Sequence, residues 1–155
     1  MPELRAASLL DAPPAAVWAR VSTMEGVNAE LAPWVRMTAP RQARRASLAA
    51  APRGQVAFHS VLLALGVVPF DVHALRLLEV TEGAGFVEES SSWLQRVWRH
   101  ERTLTPMPGG RCKVEDVVRV EPRIEPFGPV AVWLARRVFA ARHRALRRHF
   151  GGEPA

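Results

Sequence analysis

The chain contains no tyrosine, one cysteine and one lysine in 155 residues. The missing tyrosine rules out a phenolic general acid. With Cys112 alone no internal disulfide can form, so a reducing compartment is expected and Cys112 reads as an inert core thiol. No apolar run approaches a membrane span. The longest, "VLLALGVVPF" (residues 61–70), is broken by Gly66 and Pro69 and reads as a buried strand. The opening "MPELRAASLLDAPP" has neither the basic region nor the apolar core of a leader, and a cytoplasmic location is expected.

Chemical motifs are equally scarce. There is no HExxH or CxxC, and His143 and His149, six apart, fall on different sides of a helix, so no metal is expected. No GxSxG is present, which leaves Ser90 to Ser92 without a nucleophile elbow. "EGAGF" lacks the following helix that a dinucleotide fingerprint needs, and no cofactor is expected.

Apolar residues and arginine are plentiful. Hydrophobic residues make up 48% of the chain, enough to bury a core and to argue against disorder. The net charge of +6 rests on arginine, with Lys113 the sole lysine, as in the coding bias of a GC-rich bacterium. Five of the arginines (Arg136, Arg137, Arg144, Arg147 and Arg148) fall on one side of a helix over the stretch "PVAVWLARRVFAARHRALRRHF". Ala131, Val132, Ala135, Val138, Phe139, Ala145, Leu146 and Phe150 fall on the other. Removing those five charges leaves a nearly neutral remainder, so the basicity is local. Arg142 breaks the pattern: it sits in the apolar stripe. Trp133 breaks it the other way, on the polar side, where it is either partly covered by the preceding chain or offered to a membrane or partner.

The pattern predicts a strand over residues 4–12, a helix from 13 to 21 and a second over 25–34 ended by Pro33. A short strand follows at 34–37, then loop or weak strand at 39–52. After Gly54, alternating runs separated by glycine-containing gaps read as an antiparallel meander. Prolines 122, 126 and 129 end the sheet before the long final helix. The fold class is α+β, with a curved antiparallel sheet of about six or seven strands, two short helices after the first, and a long C-terminal helix. One ligand-binding domain is expected over residues 1–150, with a flexible tail at 151–155.

This order resembles the SRPBCC superfamily, the helix-grip fold of START lipid-transfer domains, birch-pollen-type allergens and polyketide cyclase/dehydratases. The segments carrying the likeness are "DAPPAAVW", "GF.EES", "W.H.R", "GG.C.V.D.V" and "VFAARHRAL". The resemblance implies a cavity between sheet and helix for a small apolar or amphipathic molecule. It specifies neither ligand nor chemistry, because fold does not carry function.

Alternation places a polar row on the inner face. In "CKVEDVVRV" the apolar parity carries Asp116 inward, and in "VWRHERTL" it carries His100 and Arg102. A loop from Met107 to Arg111 pairs Arg102 with Asp116 and Leu104 with Val114. Running the preceding hairpin through "LQR" pairs Trp98 with Ser92, His100 with Ser90 and Arg102 with Glu88. Arg142 then lies over the row. Inward charges are costly unless paired, so this is either a register-fixing ion-pair network or a ligand anchor.

Three functions follow. The first is a carrier or sensor whose apolar ligand contacts Arg142, Arg102, His100, Ser90, Trp98 and Phe139, with Trp34 and Trp93 as further walls. The second is a cyclase, aromatase or dehydratase in which His100, with Glu88 or Asp116, moves protons. The third is anionic membrane or nucleic acid on the basic helix face. Nucleic acid is not expected, since the aromatic interleaving of such a platform is missing.

Overall fold

Proline, glycine and one asparagine set the path of the first half. The computed structural model describes residues 2–155. After β1 (Glu3–Leu10), Pro14 starts α1 (Pro14–Val21), where a missing N–H costs nothing. Thr23 caps α2 (Met24–Leu31), its Oγ1 accepting from the Gly26 amide at 3.1 Å. The Asn28 side chain exchanges two hydrogen bonds with the Met37 backbone, 2.9 and 2.7 Å, fastening α2 to β2 (Val35–Met37). The segment expected as loop or weak strand holds two single 3₁₀ turns, Arg41–Ala43 and Leu48–Ala50.

The meander follows as β3 (Val56–Ala64), β4 (Val68–Thr81), β5 (Gly85–Ser92), β6 (Gln95–Met107) and β7 (Arg111–Pro122). The final helix α3 spans Gly128–Phe150. Among the described residues the sheet has eight strands, not six or seven, in the order β2-β3-β4-β5-β6-β7-β1-β8. The eighth is the terminal segment expected as a flexible tail: β8 (Gly152–Pro154) pairs antiparallel with β1. Gly151 and Gly152, both at positive φ, turn the chain out of α3 and onto that edge.

Two further expectations are corrected. Residues 61–70 are not a buried strand but the end of β3, a turn and the start of β4, with Leu65 and Gly66 at positive φ and Leu65, Val67, Val68 and Phe70 exposed. In the β5–β6 hairpin the chain reverses around Leu94 rather than Gln95. Each partner therefore moves two positions: Trp98 opposes Ser90, His100 opposes Glu88 and Arg102 opposes Phe86. A shift of two keeps every side chain on its expected face. The β6–β7 register is as expected, Arg102 opposite Asp116 and Leu104 opposite Val114.

The helix α3 crosses the inner face over β1 and β7 and flanks α2. Two apolar clusters form beneath it. One holds Leu10, Val17, Trp18, Leu77, Val114 and Leu146; the other holds Leu4, Val118, Val120, Ala135 and Phe139. On β7, Asp116 lies between Val114 of the first and Val118 of the second. A charged layer separates the two apolar halves.

Candidate functional site

The layer is built around Asp116, which is fully buried. Its Oδ1 accepts from Arg102 Nε at 2.7 Å and His100 Nε2 at 2.8 Å. Its Oδ2 accepts from Arg102 Nη2 and His143 Nε2, both at 2.7 Å. Arg102 is equally sealed and forks to a second carboxylate, with Nη1 at 3.1 Å from Glu30 Oε2 and Nη2 at 2.9 Å from Glu30 Oε1. Arg142 Nε donates to Glu30 Oε1 at 3.1 Å, and the Arg142 guanidinium lies 4.9 Å from the centre of the Phe139 ring.

A second branch starts from Glu88. Its Oε2 accepts from His73 Nε2 at 2.7 Å and from the Ser90 hydroxyl at 2.6 Å. Glu88 Oε1 lies 4.0 Å from His100 Nδ1, which brings the two branches together. A third branch runs outward. His143 Nδ1 is 2.7 Å from Ser8 Oγ, which accepts from Arg147 Nη1 at 2.8 Å.

An ionised carboxylate only accepts, so His143 presents Nε2–H to Asp116; with Arg147 donating to Ser8, the Ser8 hydroxyl is free to donate to His143 Nδ1. Ser8, His143 and Asp116 thus have the connectivity of a nucleophilic triad. The serine is wholly buried and held by Arg147, so no acyl group can reach it.

Electrostatics follow the same geometry. Burial pushes the Asp116 carboxyl up, but attraction to Arg102 and His100 outweighs it and holds the group well below the usual carboxylate range. Glu30 is lowered in the same way, burial opposed by Arg102 and Arg142. For Glu88 the opposing partners are His73, His100 and Ser90, and the net shift is again downward. Burial dominates at His100, whose pKa is lowered despite the pull of Asp116. Arg102 is raised: burial lowers it, but Asp116 and Glu30 prevail.

The structure brings Glu88, Ser90, His100, Arg102, Asp116 and Arg142 into one buried layer. Arg142 engages Glu30 rather than the Glu88–Asp116 row itself. Trp98 is half-buried and stacks on Phe139, ring centres 6.1 Å apart at 29°. Trp93 is exposed at the β5–β6 turn, away from the layer, whereas Trp34, also exposed, stands on the wall of the groove described below.

Sequence reasoning missed Glu30, His73, His143 and Ser8. Three carried a signal: Ser8 shares its strand parity with buried Leu4 and Leu10 on β1. His73 shares its strand parity with Leu75 and Leu77, and His143 completes the stripe Phe139, Arg142, Leu146 at helical spacing. Glu30 carried none, since nothing in the sequence says that α2 folds its carboxylate onto β6. Among the described residues no group of histidine, cysteine, aspartate and glutamate is arranged to hold a metal ion. None of their helices is long and apolar enough to cross a membrane.

Beside the layer, a groove of about 370 Å³ runs between α3 and the α2–β2 segment. Leu31, Trp34, Val35, Leu134 and Val138 form its apolar walls, and Arg137 and Arg144, two turns apart on α3, stand along it.

A family model described as "Domain of unknown function (DUF8410)" matches residues 8–150. No curated protein matches the chain in sequence. Solved structures match in shape. A protein from Chromobacterium violaceum superposes with a TM-score of 0.72 at 16% identity, covering 99% of this chain and 100% of that one. A START superfamily protein from Mycobacterium smegmatis gives 0.67 at 13%, covering 96% of each chain. Ara h 8.0201 gives 0.57 at 13%, covering 94% of this chain and 97% of that one. At these identities the likeness is one of fold, and the fold is the helix-grip.

Proposed function

The chain belongs to the family described as Domain of unknown function (DUF8410), and we propose that it binds a small amphipathic molecule as a carrier or sensor. The observation that carries this reading is the groove between α3 and α2–β2. Its volume of about 370 Å³ falls in the range of small-molecule sites. Its walls are aliphatic and aromatic, while Arg137 and Arg144 offer fixed cations to an anionic head group. The helix-grip fold, with a long helix laid against an open curved sheet, suits such a site.

The buried layer supports a structural role beside this one. Arg102, Asp116, Glu30 and Glu88 have charged or hydrogen-bonding partners, and none of the four lines the groove. An acid/base reaction of the cyclase or dehydratase type at His100, Glu88 and Asp116 would need those bonds opened and a path for substrate between the two apolar clusters. No observation favours that reading.

Native mass spectrometry of the purified protein, with extraction and identification of any adduct, tests the proposal. A stoichiometric amphipathic adduct should be lost when Val138→Trp fills the groove and weakened by Arg137→Ala with Arg144→Ala. An adduct indifferent to all three changes would place the ligand elsewhere. A protein that stays empty against a panel of fatty and polyketide-like acids would count against binding altogether.

A further inference from the structure

Exposed large apolar side chains are not scattered over this molecule. Among the described residues thirteen are exposed, and only Val56 lies away from one end of the sheet. The others sit where three reversals of the chain meet. Leu65, Val67 and Phe70 belong to the β3–β4 turn, and the Leu65 amide donates to the Trp34 carbonyl at 2.7 Å, so Trp34 stands beside them. Trp93 and Leu94 form the β5–β6 turn, and the Leu94 amide reaches Asp71 Oδ1, next to Phe70, at 3.3 Å. The Arg123 amide donates to the Leu94 carbonyl at 3.1 Å, which brings in Ile124 and Phe127 ahead of α3. Val130, Trp133 and Leu134 continue the surface along the first turns of the helix. Leu134 and Trp34 also wall the groove, so the groove opens onto this rim.

The charge around the rim is one-sided. Arg36, Arg96, Arg123, Arg136 and Arg137 surround it, against Glu121 and Glu125. Arg96 pairs with Glu121 at 2.8 Å, and Arg137 packs 5.1 Å from the centre of the Trp133 ring. Arginine with tryptophan is a combination suited to the interface of a bilayer, where the ring sits among head groups and the cation meets phosphate. A soluble monomer rarely exposes a contiguous patch of this kind without a partner. A second copy would bring the same positive rim against itself, in a chain already at +6.

We propose that this rim docks on a membrane surface containing anionic lipid, inserting Trp93, Leu94 and Phe70 at the interface while the surrounding arginines meet the head groups. Docked in this way, the groove faces the bilayer. The rim and the groove are separate claims, because Trp93, Leu94 and Phe70 lie outside the groove.

Co-sedimentation with vesicles of phosphatidylcholine alone, and of phosphatidylcholine with phosphatidylglycerol, tests the inference. The intact chain should pellet with the mixed vesicles and far less with the neutral ones. Its tryptophan emission should shift to the blue on binding, and less so in Trp93→Phe. The double variant Trp93→Ser with Leu94→Ser, both exposed positions, should retain its melting temperature and lose roughly tenfold or more in partitioning. Three results would overturn the proposal. One is no association of the intact chain with either vesicle. Another is association that the double variant keeps and that Arg144→Glu with Arg148→Glu abolishes, which would assign it to the basic helix face. The third is self-association in solution that the double variant removes, which would make a second copy the occupant of the rim.

Discussion

Arg102 and Asp116 meet side by side across β6 and β7, Nε on Oδ1 and Nη2 on Oδ2, each at 2.7 Å, with no solvent access to either side chain. A buried ion pair of this kind repays its desolvation only when every remaining donor and acceptor is used. Here the spare Arg102 donors go to Glu30, and the second lone pairs of Asp116 to His100 and His143. Asp116 therefore links β6, β7 and α3 directly and reaches α2 through Arg102 and Glu30, and its removal should be felt in all four.

Asp116→Ala should destabilise the fold by about 3–5 kcal/mol, because it takes a carboxylate from a buried guanidinium and two buried imidazoles at once. Glu121→Ala, which removes the partner of exposed Arg96, should cost less than about 1 kcal/mol. Urea denaturation midpoints of the two variants measure the difference. Equal costs would mean that the layer does not hold the elements together.

Arg142 separates the structural and ligand-anchoring readings. If its partner is Glu30, at 3.1 Å, then Arg142→Met should cost about 2–3 kcal/mol, and a double-mutant cycle with Glu30→Gln should show a coupling of about 1–3 kcal/mol. The melting temperature is the readout. An unchanged melting temperature together with a lost ligand adduct would instead make Arg142 an anchor.

Stability should fall in two stages on acidification. Burial holds His100 below its usual pKa, so as pH falls below about 6.5 the unfolded chain takes up that proton first and the folded state loses ground. Asp116, Glu30 and Glu88 are held below the usual carboxylate range. Their contribution is present above about pH 4 and is lost as pH drops through their folded values. Denaturation midpoints from pH 8 to pH 3 should trace both stages, and His100→Leu should flatten the first and shrink the second, since His100 helps hold Asp116 and Glu88 down.

What could be read from the sequence followed from period and loop length. Parity alone put Asp116, His100, Arg102 and Glu88 on the inner face. The β6–β7 loop, counted correctly, gave the Arg102–Asp116 pairing. The β5–β6 register failed by two residues because "SSSWLQR" contains no glycine or proline to mark the reversal, and it turns at Leu94 on a Gln95 amide bonded to Ser92 Oγ. The eighth strand was hidden for a different reason: "GGEPA" has no alternation, and its pairing with β1 depends on where α3 delivers it. Glu30 was out of reach because its partners are 72 and 112 residues away.

Gly85 offers a backbone test of the same layer. Its φ is +146°, and a Cβ built on it would lie 2.0 Å from the carbonyl oxygen of Arg102. Gly83, in the adjoining turn, also has positive φ (+76°) but open space around it. Gly83→Ala should therefore cost only the conformational penalty, about 1 kcal/mol. Gly85→Ala adds a steric collision that can be relieved only by parting β5 from β6 at Arg102, and the loss should exceed about 3 kcal/mol. Thermal melts of the two variants give the comparison. If they lose the same amount, β5 moves freely against Arg102, and the buried layer tolerates displacement of the strand that carries Glu88.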